Sequence, residues 1–203
     1  MRRTLAPVFA LLVSVALLLL GHGLFGTLLP VRAQIEAFPT PIIGMLGSLY
    51  FLGFGIGCVL GPYIIQRAGH IRAFAALAAL LVALPLVHAL FPVVPTWAVL
   101  RVLAGFCLAG LYTAIESWLN QAVHNERRGT VLSIYIVINL TAMTGGQLLL
   151  SVASPAGHEL FSLVAILVTL AVVPLALTRA SAPVPPVSVR LRLLRLYRLS
   201  PVG

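Results

Sequence analysis

Long apolar runs separated by short polar or proline-containing segments dominate this sequence. A helix that crosses a bilayer needs about 20 mostly apolar residues. Six runs meet this requirement, at residues 6–28, 42–65, 73–91, 96–121, 130–152 and 159–178. The connections between them are short, so successive helices should pack as antiparallel neighbours. The pattern predicts an all-α membrane protein in which residues 1–179 form a six-helix transmembrane bundle.

Composition agrees with this prediction and excludes several other classes. Hydrophobic residues make up 61% of the chain and charged residues 8%, whereas a soluble domain carries about 25% charged residues. The net charge is +9, but arginines between or beyond the apolar runs are better explained by topology and anionic headgroups than by nucleic acid. Cys58 and Cys107 lie inside apolar runs, where we interpret them as packing residues. We therefore expect a lipid bilayer as partner, no nucleic acid, no metal and no cofactor.

The arginines also predict the orientation of the bundle. Cytoplasmic loops carry the excess of cations, and the side opposite the N-terminus holds only Arg32, with Glu36 close to it. The other side holds Arg2, Arg3, Arg67, Arg72, Arg127, Arg128, Arg179, Arg190, Arg192, Arg195 and Arg198. We expect a multi-pass protein of the bacterial inner membrane with both termini in the cytoplasm.

Composition changes again in residues 180–203. The first part is rich in proline, which favours an extended connection. Arginines then recur among leucines at helical spacing, a pattern suited to the surface of an anionic leaflet. We expect a cytoplasmic linker that stops before a second bundle, which would make the chain half of a longer protein.

Glycines mark the second span as a packing helix. Gly53, Gly57 and Gly61 are spaced four residues apart, so they share one helix face and allow a neighbouring backbone to approach closely. A nucleotide-binding loop is excluded because no strand precedes these glycines and no acidic ribose partner follows them. The row predicts a close helix crossing.

Two charged residues lie inside the fourth span. Arg101 costs at least a few kcal/mol there unless it faces a watery cavity or a partner, or unless its side chain reaches the nearby interface beside Trp97. Glu116 lies about 22 Å further along the helix, too far to pair with Arg101. Its expected counter-ion is Arg67 or Arg72, in an ion pair that is either static or part of a moving gate.

Other polar side chains inside the spans are candidates for a midplane cavity. His22 lies in the first span, and Asn139 and Gln147 lie in the fifth. Amide and imidazole groups also bridge helices, so packing is an equal explanation. We take these three residues, with Arg101, as candidate substrate or coupling residues.

The turn after the glycine row resembles a known signature. Residues 61–72 resemble the G-x-x-x-D-R-x-G-R-R/K motif between spans two and three of the major facilitator superfamily. Arg67 and Gly69 are retained and Arg72 lies near the basic end, whereas Gln66 replaces the acid. Arg101, followed by Gly105, is similar to the R-x-x-x-G motif in span four of the same superfamily.

Further segments resemble the YcaD-like branch of bacterial major facilitator permeases: residues 116–120, 128–129, 133–135 and 146–147. The resemblance implies the N-terminal half of a twelve-helix fold, partnered by a C-terminal six-helix half. It implies a secondary active transporter, not an enzyme, that moves an unidentified small solute by alternating access. Arg101 would act in substrate binding or coupling. Gln66, Arg67, Gly69, Arg72 and Glu116 would form the cytoplasmic gate. The alternative is an inactive fragment or a structural or assembly protein that needs a partner bundle.

Overall fold

The computed structural model describes residues 2–122 and 125–177. The predicted linker of residues 180–203 and the arginines from Arg179 onward lie outside the described residues. The side chains of Arg2, Arg3 and Arg127 are likewise outside the description.

Six helices form the described part of the chain, which contains no strand. All six are long and apolar enough to cross a membrane, with spans of 18 to 29 residues. A 3₁₀ turn, Leu149–Ser151, follows the fifth helix. The helices are α1 Arg2–Ile35, α2 Thr40–Ala68, α3 His70–Leu90, α4 Val94–Ala122, α5 Asn125–Leu148 and α6 Glu159–Ala176. The predicted all-α bundle of six spans is confirmed.

The predicted end of the first span was wrong. Helix α1 continues seven residues beyond residue 28, to Ile35, and includes Arg32. Hydropathy marks the part of a helix that contacts lipid, whereas arginine and glutamine also favour helical backbone. The chain leaves the helix at Ala37, which has a φ of 56°.

Short connections join the helices, two at one end of the bundle and three at the other. We call the end with the α2–α3 turn and the α4–α5 connection the Gly69 end. The end with the α1–α2, α3–α4 and α5–α6 connections is the Phe91 end. Helix α1 packs against α5 and α6, α2 packs against α4, and α3 packs against α4 and α6. Helices α2 and α5 are the least covered: 22% and 17% of their most apolar windows are buried, against 56% for α4.

The glycine row of α2 lies against α4. A Cβ atom added at Gly53 would collide with the backbone of Val102. One added at Gly57 would lie 2.6 Å from the carbonyl oxygen of Phe106, and one at Gly61 would lie 3.3 Å from the Cα of Gly110. The two backbones therefore touch over three successive turns, and this contact fixes how α2 and α4 present their polar side chains.

Candidate functional site

Three polar side chains from different helices meet inside the bundle. The guanidinium carbon of Arg101 on α4 lies 4.5 Å from the centre of the Tyr50 ring on α2. The Tyr50 hydroxyl lies 3.5 Å from Nε2 of His22 on α1, and the two rings are stacked with centroids 5.8 Å apart. We call His22, Tyr50 and Arg101 the Arg101 cluster.

Close helix packing produces this cluster. Tyr50 lies three residues before Gly53 and on the same buried face of α2. Gly105 of α4 sits so close to the Tyr50 carbonyl that a Cβ there would collide with it. At Gly105 only a hydrogen atom separates the two backbones. Arg101 lies one turn earlier on α4, and this close approach allows its side chain to reach across the Tyr50 ring.

The guanidinium is held well inside the bundle. Its Nε–H donates a hydrogen bond to the Leu46 carbonyl at 3.3 Å. Leu46 and Tyr50 lie about 9 Å and 15 Å from the start of α2, from the helical rise per residue. The Arg101 side chain therefore points toward α2 inside the bundle. It does not extend toward the Phe91 end, as it would if it reached the membrane interface.

Arg101 also borders a cavity of about 60 Å³ between α1, α2 and α4. Trp97 lines the same cavity, and its Nε1–H donates to the His88 carbonyl at 3.1 Å. The remaining lining residues are glycine, alanine, proline and aliphatic residues: Gly26, Leu29, Pro30, Ala33, Ile43, Leu46 and Gly47. The cavity therefore joins one permanent cation to otherwise apolar walls.

The two predicted α5 residues lie away from this cluster. Asn139 donates a hydrogen bond from Nδ2 to the Tyr135 carbonyl of its own helix at 2.9 Å. Gln147 is exposed. Of the four candidate substrate or coupling residues, the structure brings together Arg101 and His22, through Tyr50.

The candidate gate residues surround the α2–α3 turn. Gly69 has a φ of 83°, a conformation that glycine adopts readily, and its N–H donates to the Ile65 carbonyl at 2.7 Å. Gln66 is half-buried, whereas Arg67 and Arg72 are exposed. This turn places both arginines at the Gly69 end.

Glu116 has a tyrosine partner in this conformation. The Tyr135 hydroxyl on α5 donates to a Glu116 carboxylate oxygen at 3.3 Å. Neither Arg67 nor Arg72 lies within ion-pair distance of it; among the described side chains, the ion pair formed is Arg32–Glu36, at 2.6 Å. The bridge expected between Glu116 and an arginine of the α2–α3 turn is not formed here.

Arg32 ties two connections together at the Phe91 end. Its Nη1 donates to the carbonyl oxygens of Pro155 and Gly157, each at 3.2 Å, and to that of Ala156 between them. The guanidinium therefore links the end of α1 to the loop before α6, and Glu36 balances its charge.

Sequence reasoning missed Tyr50, Tyr135 and the contacts of Arg32. The sequence contained evidence for Tyr50: it lies three residues before Gly53, on the helix face that carries the glycine row, so it could have been predicted to face α4. Tyr135 lies one turn before Asn139, but nothing in the sequence links it to Glu116. Cys58, interpreted as a packing residue, is exposed on α2, whereas Cys107 is buried as expected.

Comparison with known proteins gives a family for this arrangement. The sequence profile of the Major Facilitator Superfamily matches residues 11–201. A protein of Escherichia fergusonii, "Uncharacterized MFS-type transporter YcaD", is 31% identical over 173 residues, which is 85% of this chain and 45% of the relative. The protein of the same name in Salmonella arizonae is 31% identical over 175 residues, with the same shares covered.

The chain spans about half the length of the curated relatives that it matches. No solved structure matches it. The profile covers nearly the whole chain, and the six apolar helices fit the N-terminal half of such a transporter. The chain therefore belongs to the major facilitator superfamily, and resembles its YcaD-type members.

Proposed function

We propose that this chain is one half of a secondary active transporter that moves a small solute across the bacterial inner membrane by alternating access. The observation that carries the proposal is the Arg101 cluster. A permanent cation inside a membrane-spanning bundle is costly and marks a functional site by default. Here it borders a cavity between three helices, and transporters bind their solutes inside the membrane, between bundles that rock around a fixed site.

The second half of the transporter would pack on α2 and α5. Both helices present large apolar side chains that this bundle leaves open: Phe51 is 71% exposed, Val59 62% and Leu140 65%. The relatives are about twice as long as the matched region, which agrees with a second bundle of similar size. Rocking of the two bundles would open the cavity to each side of the membrane in turn.

The gate would act at the Gly69 end. Glu116 is exposed and bonded to Tyr135 in the present conformation, while Arg67 and Arg72 are also exposed. In the alternate conformation Glu116 exchanges Tyr135 for one of these arginines. Gln66 and Gly69 would shape the turn that carries Arg67.

The arginine distribution supports an orientation with the Gly69 end and both termini in the cytoplasm. Arg67, Arg72 and Arg128 lie at that end, whereas Arg32 at the Phe91 end is already paired with Glu36. In this orientation residues 180–203 would form a cytoplasmic linker from the bundle of residues 1–179.

A solute screen tests the proposal. Inside-out membrane vesicles would be prepared from cells that express the chain alone or with the C-terminal half of the Escherichia fergusonii relative. A mixture of small metabolites is added, a proton or sodium gradient is imposed, and the vesicle contents are analysed by mass spectrometry. We expect gradient-dependent movement of at least one solute when both halves are present. No difference from empty vesicles, with both halves abundant in the membrane, would contradict transport.

A further inference from the structure

We propose that the solute carries an anionic oxygen group, such as a carboxylate, that docks on the two terminal amino groups of Arg101. This inference rests on the proposed function where it identifies the anion as the transported solute. The binding site itself is argued from the contacts of the guanidinium.

The hydrogen bonds of Arg101 leave most of its donors available. A guanidinium has five N–H donors and no acceptor, and it stays charged in proteins. The Nε–H donates to the Leu46 carbonyl. Within residues 2–122 and 125–177, neither Nη1 nor Nη2 has an acceptor. Four donors on the outer edge of a cation that borders the cavity therefore have no acceptor among the described residues.

No described carboxylate of the chain supplies the missing charge. The chain has four acidic residues, all glutamates. Glu36 pairs with Arg32, Glu116 lies about 22 Å along α4 from Arg101, and Glu159 is not within ion-pair distance. The fourth, Glu126, follows the far end of α4 in the sequence. A cation inside a membrane span is stabilised by an anionic partner, and the described side chains of this bundle provide none.

Tyr50 positions the guanidinium for such a partner. The guanidinium carbon lies over the ring, 4.5 Å from its centre, a favourable contact that helps to hold the cation in place. The edge with both amino groups stays free, and this edge binds a carboxylate through two parallel hydrogen bonds. Arg101 is thus held in a geometry that favours a planar anionic group.

The cavity limits what can accompany the anion. Its volume is about 60 Å³, near the space that two water molecules occupy in the liquid, which suits a carboxylate head. The walls of the cavity are apolar, so the carbon atoms joined to the anionic group should be hydrocarbon, and the rest of the solute would lie outside a cavity of this size. A neutral amide of equal shape cannot neutralise Arg101, and a cation would be repelled.

Trp97 provides a direct reporter because it lines the same cavity. The chain has two tryptophans, so the full chain with Trp118→Phe leaves Trp97 as the single emitter. The protein is placed in phosphatidylcholine nanodiscs and titrated with three probes of similar shape: cyclohexanecarboxylate, cyclohexanecarboxamide and cyclohexylmethylammonium. We expect a saturable change in Trp97 emission with the carboxylate alone.

Variants then locate the anion. Arg101→Gln should weaken carboxylate binding roughly tenfold or more, since hydrogen bonds to charged groups are lost. Arg101→Lys should restore part of the affinity because it keeps the charge but loses the fork. Arg128→Gln removes one exposed positive charge at the Gly69 end and should bind as the parent does. Size-exclusion profiles and helical circular dichroism check that each variant is folded.

Three results would overturn the proposal. The first is equal affinity for the carboxylate and the amide, or no response to any probe. This result needs only the titration of the protein that retains Arg101. The second is unchanged carboxylate binding in Arg101→Gln. The third is loss of the response when phosphatidylglycerol replaces phosphatidylcholine, which would assign the site to a lipid headgroup. Carboxylate binding that persists while the solute screen shows no transport would refute the proposed function and leave the anion site standing.

Discussion

The contact between α2 and α4 supports a prediction about a single methyl group. Gly53→Ala should destabilise the bundle, whereas Gly55→Ala, two residues further along the same helix, should not. The Cβ of an alanine at position 53 would lie 2.6 Å from the carbonyl carbon of Val102 and still closer to its oxygen, while nothing lies within 4 Å of one at position 55. The clash is with backbone, so a side-chain rotation cannot relieve it.

The expected magnitude follows from these distances. Forcing an extra carbon into a packed contact costs about 1–3 kcal/mol. An alanine in place of a helical glycine gains about 0.5–1 kcal/mol in conformational entropy, and this gain applies to both variants. Gly53→Ala should therefore be less stable than the parent chain, and about 1–3 kcal/mol less stable than Gly55→Ala.

The assay is reversible unfolding in mixed micelles, in which sodium dodecyl sulfate is titrated and helicity is followed by circular dichroism. Gly105→Ala, whose Cβ meets the Tyr50 backbone across the same crossing, extends the test. The Gly53→Ala, Gly105→Ala double variant should lose less stability than the sum of the single variants, because either substitution already separates the helices. Equal stability of Gly53→Ala and Gly55→Ala would refute the close crossing.

Three other predictions concern the ends of the bundle. Arg32→Gln should raise hydrogen exchange in the α5–α6 loop about tenfold through loss of charged hydrogen bonds; unchanged exchange would show that the loop does not depend on Arg32. In a cysteine-free background, an impermeant maleimide added to intact cells should label Pro92→Cys but not Ala68→Cys, and the reverse result would invert the proposed orientation. Glu116→Gln and Arg67→Gln should each change maleimide access to Ala68→Cys in inside-out vesicles of the complete transporter, and their effects should be non-additive. Purely additive effects would show that the two residues do not interact.

The number of helices and their positions along the chain could be predicted from the sequence because each depends on local composition. The expectation that successive helices pack as neighbours was wrong except for α3 and α4, because α1 packs against α5 and α6 and α2 packs against α4. Twenty apolar residues imply a span wherever they occur, and the glycine spacing in α2 implies a face that admits a close neighbour. The end of α1 was mispredicted for the same reason: hydropathy falls at Arg32, but helical hydrogen bonding continues to Ile35. Local patterns do not say which helix lies beside the glycines.

The site was less predictable because it depends on contacts between helices. Arg101 was identifiable as a charge inside an apolar run, but its contact with Tyr50 arises from the register between α2 and α4. We expected an arginine to pair with Glu116 because of its charge, whereas in the structure Glu116 accepts a hydrogen bond from the Tyr135 hydroxyl. The contacts of a charged residue in this bundle therefore depend on the register between helices, which the sequence pattern does not give.

The most direct test of the central claim, that the solute binds at the Arg101 cluster, is transport by variants of the complete transporter. Flux of the solute found in the vesicle screen would be compared for Arg101→Ala and Arg128→Gln, with membrane abundance measured by immunoblot. We predict that Arg101→Ala abolishes gradient-driven flux at near-normal abundance, while Arg128→Gln retains measurable flux. Unchanged flux in Arg101→Ala would remove the Arg101 cluster from the transport pathway and contradict the account.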